Sequence, residues 1–191
     1  SGTIKDEDKA EIDKVINNAD VDGVATAIRD DKKAAIAKAA GVTDAELAGK
    51  NVIETEITVK VEAKTADLAN GKLTFEASPV ATVKVNGAAT DTTVPVTNDM
   101  LNGKPITVKL PLPTVDGKLF TPKQILHKFT GGGYEYFINE SVGGMRGAGS
   151  FKIEDNCAVF TIYGFSTFEL SGTVTYVAPS SGGGSSSSSR R

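Results

Sequence analysis

The chain has 191 residues, 39% hydrophobic and 24% charged, which suits one large globular domain or two small ones. Its formal net charge is -3, and Lys and Arg are spread along it instead of gathered into a stripe, so no nucleic-acid partner is expected. One Cys and one His exclude a disulfide framework and leave no Cys/His set for structural zinc, and no apolar run is long enough for membrane insertion.

Residues 4–49 are rich in Ala, Asp and Lys and contain neither Pro nor an aromatic residue. Ile12, Val15, Ile16 and Ala19 fall at helical spacing. After a break near Asp20, Val21, Val24, Ala25 and Ile28 repeat the pattern, which predicts a second helix. Ala35, Ile36, Ala39 and Ala40 predict a third, with Gly41 placed to end it in the left-handed conformation. Thr43-Asp44-Ala45-Glu46 fits a capping box, the Thr hydroxyl accepting from the backbone three residues on while Glu46 reaches back. Such short helices are marginal alone, so their apolar stripes are expected to pack on the β-rich remainder of the chain.

Residues 51–177 are rich in Val, Thr, Phe, Tyr and Gly. The clearest strand lies in 51–63, where Ile53, Thr55, Ile57, Val59 and Val61 face one way and Glu54, Glu56, Thr58, Lys60 and Glu62 the other. Asn70-Gly71 and Asn86-Gly87 mark turns, and Ser78-Pro79 is expected to interrupt the ladder between them. Further strands are predicted at 92–96, 106–110, 124–129, 134–138, 151–154, 158–163 and 167–177, the last with a break at Ser171-Gly172. Pro105, Pro111 and Pro113 give one of them an edge character.

The predicted fold class is α+β. Short N-terminal helices over 1–50 pack on an antiparallel β-sandwich over 51–177, immunoglobulin-like or related, and a disordered Gly/Ser linker closes the chain over 178–191. That linker reads as a natural tether to neighbouring domains of a longer chain.

No catalytic, cofactor-binding or metal-ligating residue stands out. His127 shares parity with Ile125 and Phe129, so it is predicted to point into the core with its ring nitrogens bonded to nearby backbone. Cys157, at the start of an apolar run, reads as a buried, inert thiol. Gly131-Gly132-Gly133 is a hairpin connection, since a phosphate loop would need a helix after it. The glycine-rich stretch 143–149 is a candidate binding loop. Tyr134 and Tyr136 share one strand face, and with Met145 and Arg146 they form the candidate binding surface. A carbohydrate-binding module, with those tyrosines as a stacking platform for a host or environmental glycan, is therefore an alternative function.

The order of motifs carries a resemblance. Ala45–Lys50 leads into a Thr-and-Val strand. Leu73-Thr74-Phe75-Glu76-Ala77-Ser78-Pro79, Val108-Lys109-Leu110-Pro111-Leu112-Pro113 and Ile125-Leu126-His127 come next in turn. After them come the glycine turn, an aromatic strand and Phe165-Ser166-Thr167-Phe168. This order resembles a module repeated in large multidomain cell-surface proteins of Gram-positive anaerobes. The resemblance implies a secreted, extracellular module without catalysis, a stalk or adhesion unit that spaces or presents neighbouring domains.

Gly164-Phe165-Ser166 also resembles the Phe-Ser cleavage site of self-cleaving β-modules, in which the Ser hydroxyl attacks the preceding carbonyl. In those modules a His directly precedes the Phe and helps the proton transfer. Here that residue is Gly164, which leaves His127, from another strand, to act as the base.

Overall fold

The computed structural model describes residues 6–115, 117–144 and 146–176. The predicted linker and Met145 lie outside them. The N-terminal part forms α1 (Asp6–Ile16), α2 (Val24–Ala27), α3 (Asp30–Ala39) and α4 (Asp44–Ala48). The predicted capping box at α4 is present in both directions: Glu46 N–H donates to Thr43 Oγ1 at 3.1 Å, and Thr43 N–H donates to Glu46 Oε1 at 3.0 Å. The second helix is much shorter than its pattern predicts. Asp20–Asp22 instead forms a strand, β1, antiparallel to residues 107–109, and Gly23 turns the chain into α2 with φ of 102°.

The remaining strands are β2 (Ile53–Asp67), β3 (Lys72–Val85), β4 (Ala88–Pro95), β5 (Ile106–Pro111), β6 (Thr114–Val115), β7 (Lys118–Lys128), β8 (Tyr134–Asn139), β9 (Gly149–Glu154), β10 (Cys157–Ile162) and β11 (Thr167–Tyr176). All eleven join one sheet in the order β1-β5-β10-β9-β8-β7-β11-β3-β2, with β4 on β3 and β6 on β7. The fold is therefore mainly sheet with short helices. Among the described residues every pairing is antiparallel except that of β8 with β9, which is parallel.

The sheet curls on itself. Phe160 of β10 lies 5.9 Å, ring centroid to centroid, from Phe168 of β11, although three strands separate β10 from β11 in the sheet order. The space enclosed is filled by Phe75, Phe120, Phe151, Leu110 and Ile125, all fully buried. Ile12, Ile16 and Ile36 of the helices, and Ile28 just after α2, belong to the same continuous core. Asp13 docks α1 on the outer strand: its Oδ1 accepts from Ala63 N–H at 2.7 Å, where a bulge between Ala63 and Thr65 disturbs the β2–β3 register.

Ser78-Pro79 does not interrupt β3. The partner on that side of β3 changes there, from β11, whose pairing reaches Glu76, to β4, whose pairing begins at Val80. The missing proline N–H falls in the gap between the two partners, so the strand continues at no cost in hydrogen bonds. Ser171-Gly172 likewise bends β11 without ending it, as a bulge against β7. Among the described residues no helix is long and apolar enough to cross a membrane.

Candidate active site

The β7–β8 hairpin turns through the three glycines, with Phe129 N–H donating to Gly133 O at 3.0 Å and Gly132 N–H to Phe129 O at 3.1 Å. This register sets His127 directly opposite Glu135. Directly opposite residues project from the same sheet face. His127 is 1% exposed, as its parity predicts. Its ring nitrogens, however, bond to side chains and not to backbone: Nδ1 lies 2.9 Å from Glu135 Oε1 and Nε2 lies 2.7 Å from Ser166 Oγ. The imidazole is clamped between Phe168, stacked at 4.2 Å, and the edge-on ring of Phe129 at 5.0 Å.

Ser166 lies in the connection from β10 to β11 and is half-buried. Its carbonyl accepts from Ala77 N–H at 3.3 Å, and its Oγ also lies 2.5 Å from Lys128 O. The Ser166 hydroxyl therefore has one proton and two acceptors. The carboxylate oxygen of Glu135 accepts, so Nδ1 of His127 carries a proton. Burial pushes the imidazole below its ordinary pKa, against the opposing pull of the hydrogen bond and charge of Glu135. The resulting neutral tautomer aims the Nε2 lone pair at the hydroxyl. This is a serine next to a base that is itself oriented by an acid.

The residue before Ser166 is held just as closely. Asn98, which opens a short 3-10 turn over Asn98–Leu101, accepts from Phe165 N–H through Oδ1 at 2.8 Å and donates from Nδ2 to Phe165 O at 3.0 Å. The two contacts fix the orientation of the amide, because only its oxygen can face an N–H. A Cβ on Gly164 would lie 3.1 Å from Asn98 Cγ, so the absence of a side chain at 164 lets the amide approach.

Of the residues expected at a binding surface, Tyr134 and Tyr136 flank Glu135 on β8, and Met145 lies outside the described residues. Tyr134 is 62% exposed and Tyr136 half-buried, and their rings meet edge to face at 71°, not in one plane. Arg146 is exposed in the glycine-rich connection. Cys157 is half-buried instead of buried, with Sγ 3.5 Å from Asp155 O, because β10 begins at the turn where Asp155 and Asn156 both adopt positive φ. An apolar groove of about 410 Å³ between the helices and the Ile53–Ile57 face of β2 is lined by other residues.

Glu135 and Asn98 are the members of the site that sequence reasoning missed. A hairpin centred on Gly131 places 127 and 135 equidistant from its middle, which is a usable signal for Glu135. Asn98 is 67 positions from Phe165 and has no such signal. Neither a protein-family model nor a curated protein matches the chain.

Proposed function

We propose that this chain is a β-module that cleaves its own backbone between Phe165 and Ser166. The observation that carries the reading is the 2.7 Å approach of His127 Nε2 to Ser166 Oγ, with Glu135 at the other ring nitrogen. Neutral His127 takes the hydroxyl proton as Oγ bonds to the Phe165 carbonyl carbon through a five-membered ring. The imidazolium, stabilised by Glu135, then gives that proton to the Ser166 nitrogen as the C–N bond breaks, leaving Phe165 esterified to Ser166 Oγ. Water hydrolyses the ester to a Phe165 carboxylate and a free Ser166 amino group. The two pieces stay together, since β11 is paired with β7 from Thr167 to Tyr176 and with β3 from Thr167 to Ser171.

Hydroxylamine tests this chemistry, because it attacks esters far faster than amides. Treated at neutral pH and then denatured, the wild-type chain is expected to release a fragment ending at Phe165, as hydroxamate or carboxylate. Ser166→Ala is expected to release none. A wild-type chain that stays whole under this treatment would overturn the reading.

A second reading is noncatalytic: a structural or adhesive module of a secreted Gram-positive cell-surface protein that spaces or presents neighbouring domains. The 2.5 Å contact from Ser166 Oγ to Lys128 O favours it, because a hydroxyl that donates there is a satisfied structural group. The extracellular setting and the immunoglobulin-like or related type of sandwich rest on the order of strand and turn motifs along the chain. The two readings part at one observable, the integrity of the Phe165–Ser166 bond.

A further inference from the structure

We infer that Asn98 is a catalytic residue of this cleavage: its side-chain amide binds the Phe165 oxygen as that atom becomes an oxyanion, and Gly164 is the position that makes room for it. The inference rests on the self-cleavage reading. When Ser166 Oγ adds to the Phe165 carbonyl carbon, the negative charge develops on Phe165 O. Asn98 Nδ2 already donates to that oxygen at 3.0 Å, within the range of an effective oxyanion donor. The other half of the same amide holds Phe165 N–H at 2.8 Å, so the donor is prevented from swinging away as the carbonyl carbon becomes tetrahedral.

The glycine at 164 is explained by the same geometry. No positive φ requires glycine there, and the crowding a Cβ would meet comes from Asn98 itself, with Cγ, Oδ1 and Nδ2 at 3.1, 3.2 and 3.3 Å. A side chain at 164 would push the amide by a few tenths of an ångström and lengthen the contact with Phe165 O. Where the self-cleaving modules that this segment resembles carry His before the Phe, this chain keeps backbone space and fills it with an amide from a distant turn.

The test tracks newly synthesised protein in a cell-free pulse-chase, reading the cleaved fraction over time on denaturing gels. Asn98→Asp keeps the shape and the acceptor for Phe165 N–H but replaces the donor at Phe165 O with a negative oxygen. It is expected to slow cleavage on the order of 10²–10³-fold, with its thermal transition lowered modestly by the lost hydrogen bond to Phe165 O. A purely structural Asn98 would show a loss of stability in this exchange with cleavage unchanged. Gly164→Ala, which leaves Asn98 in place but displaced, is expected to slow cleavage by a smaller factor, and it carries the test should Asn98→Asp fail to fold. If the wild type cleaves and both variants cleave at its rate, the role of Asn98 falls while the self-cleavage reading stands. If the wild type itself stays intact throughout the chase, both fall together.

Discussion

Phe168 of β11 stacks on His127 of β7 with ring centroids 4.2 Å apart and planes inclined by only 11°, and its other neighbour in the ladder, Phe75 of β3, stacks on it at 5.1 Å and the same inclination. The three rings form a column across three adjacent strands, because His127, Phe168 and Phe75 are in direct register. The column explains how a buried imidazole is held at one orientation. Stacking fixes the plane of the ring, and Glu135 and Ser166 fix its rotation within that plane.

Replacing His127 with Gln removes both the stacking and the correct reach to two partners. Chemical denaturation is expected to show a loss of about 1–3 kcal/mol, with cleavage abolished. An unchanged midpoint would show that the ring is not the packed, bonded group described here.

Acid should weaken the fold through the same residue. Burial lowers the His127 pKa in the folded state, so between that value and the ordinary value near 6.5 the unfolded chain binds more protons than the folded one. His127 therefore contributes stability that is fully present above about pH 6.5 and lost as pH falls through the folded value. Denaturant midpoints measured across this window should fall with pH in the wild type and fall less in His127→Gln. Cleavage should slow in the same direction, since the protonated ring cannot act as a base.

Gly172 is required by close backbone approach. A Cβ there would lie 2.0 Å from Thr121 O and 2.7 Å from Pro122 Cα, and its amide already donates to Gly71 O at 2.8 Å. Gly172→Ala is expected to cost more than about 3 kcal/mol or to prevent folding. Gly131→Ala, with no atom within 4 Å of its built Cβ, should shift stability by about 0.5 kcal/mol or less. Equal effects of the two in a thermal melt would contradict the bulge geometry.

Asp13 ties the helices to the sheet through Ala63 N–H, and the helices share one core with the strands. Asp13→Ala is expected to cost about 1–3 kcal/mol while leaving a single calorimetric transition. Two separated transitions, in the variant or the wild type, would show that the helical part folds on its own.

Much of this architecture was legible in local sequence. The alternation from Ile53 to Val61, the Asn86-Gly87 turn, whose residues have φ of 51° and 84°, and the Thr43/Glu46 capping box are all decided by neighbours within a few positions. The errors came where a distant strand decides. Asp20–Asp22 is too short to show a period and is a strand because β5 is there to pair with it. Pro79 reads as a break until the gap between β11 and β4 is known. The site showed only in part: the Phe165-Ser166 motif and His127 as the available base could be read although they are 39 positions apart, whereas Asn98, 67 positions from Phe165, left no local signal.

The most direct test of the account is the mass of the wild-type chain, folded at neutral pH, incubated, and then measured under denaturing conditions. Self-cleavage predicts two species, one ending at Phe165 and one beginning at Ser166, whose masses together exceed that of the intact chain by one water. Ser166→Ala should give a single full-length mass. A wild-type chain that remains one species at its full-length mass, however long it is incubated, would contradict the central claim and leave the His127–Ser166 contact as a structural hydrogen bond.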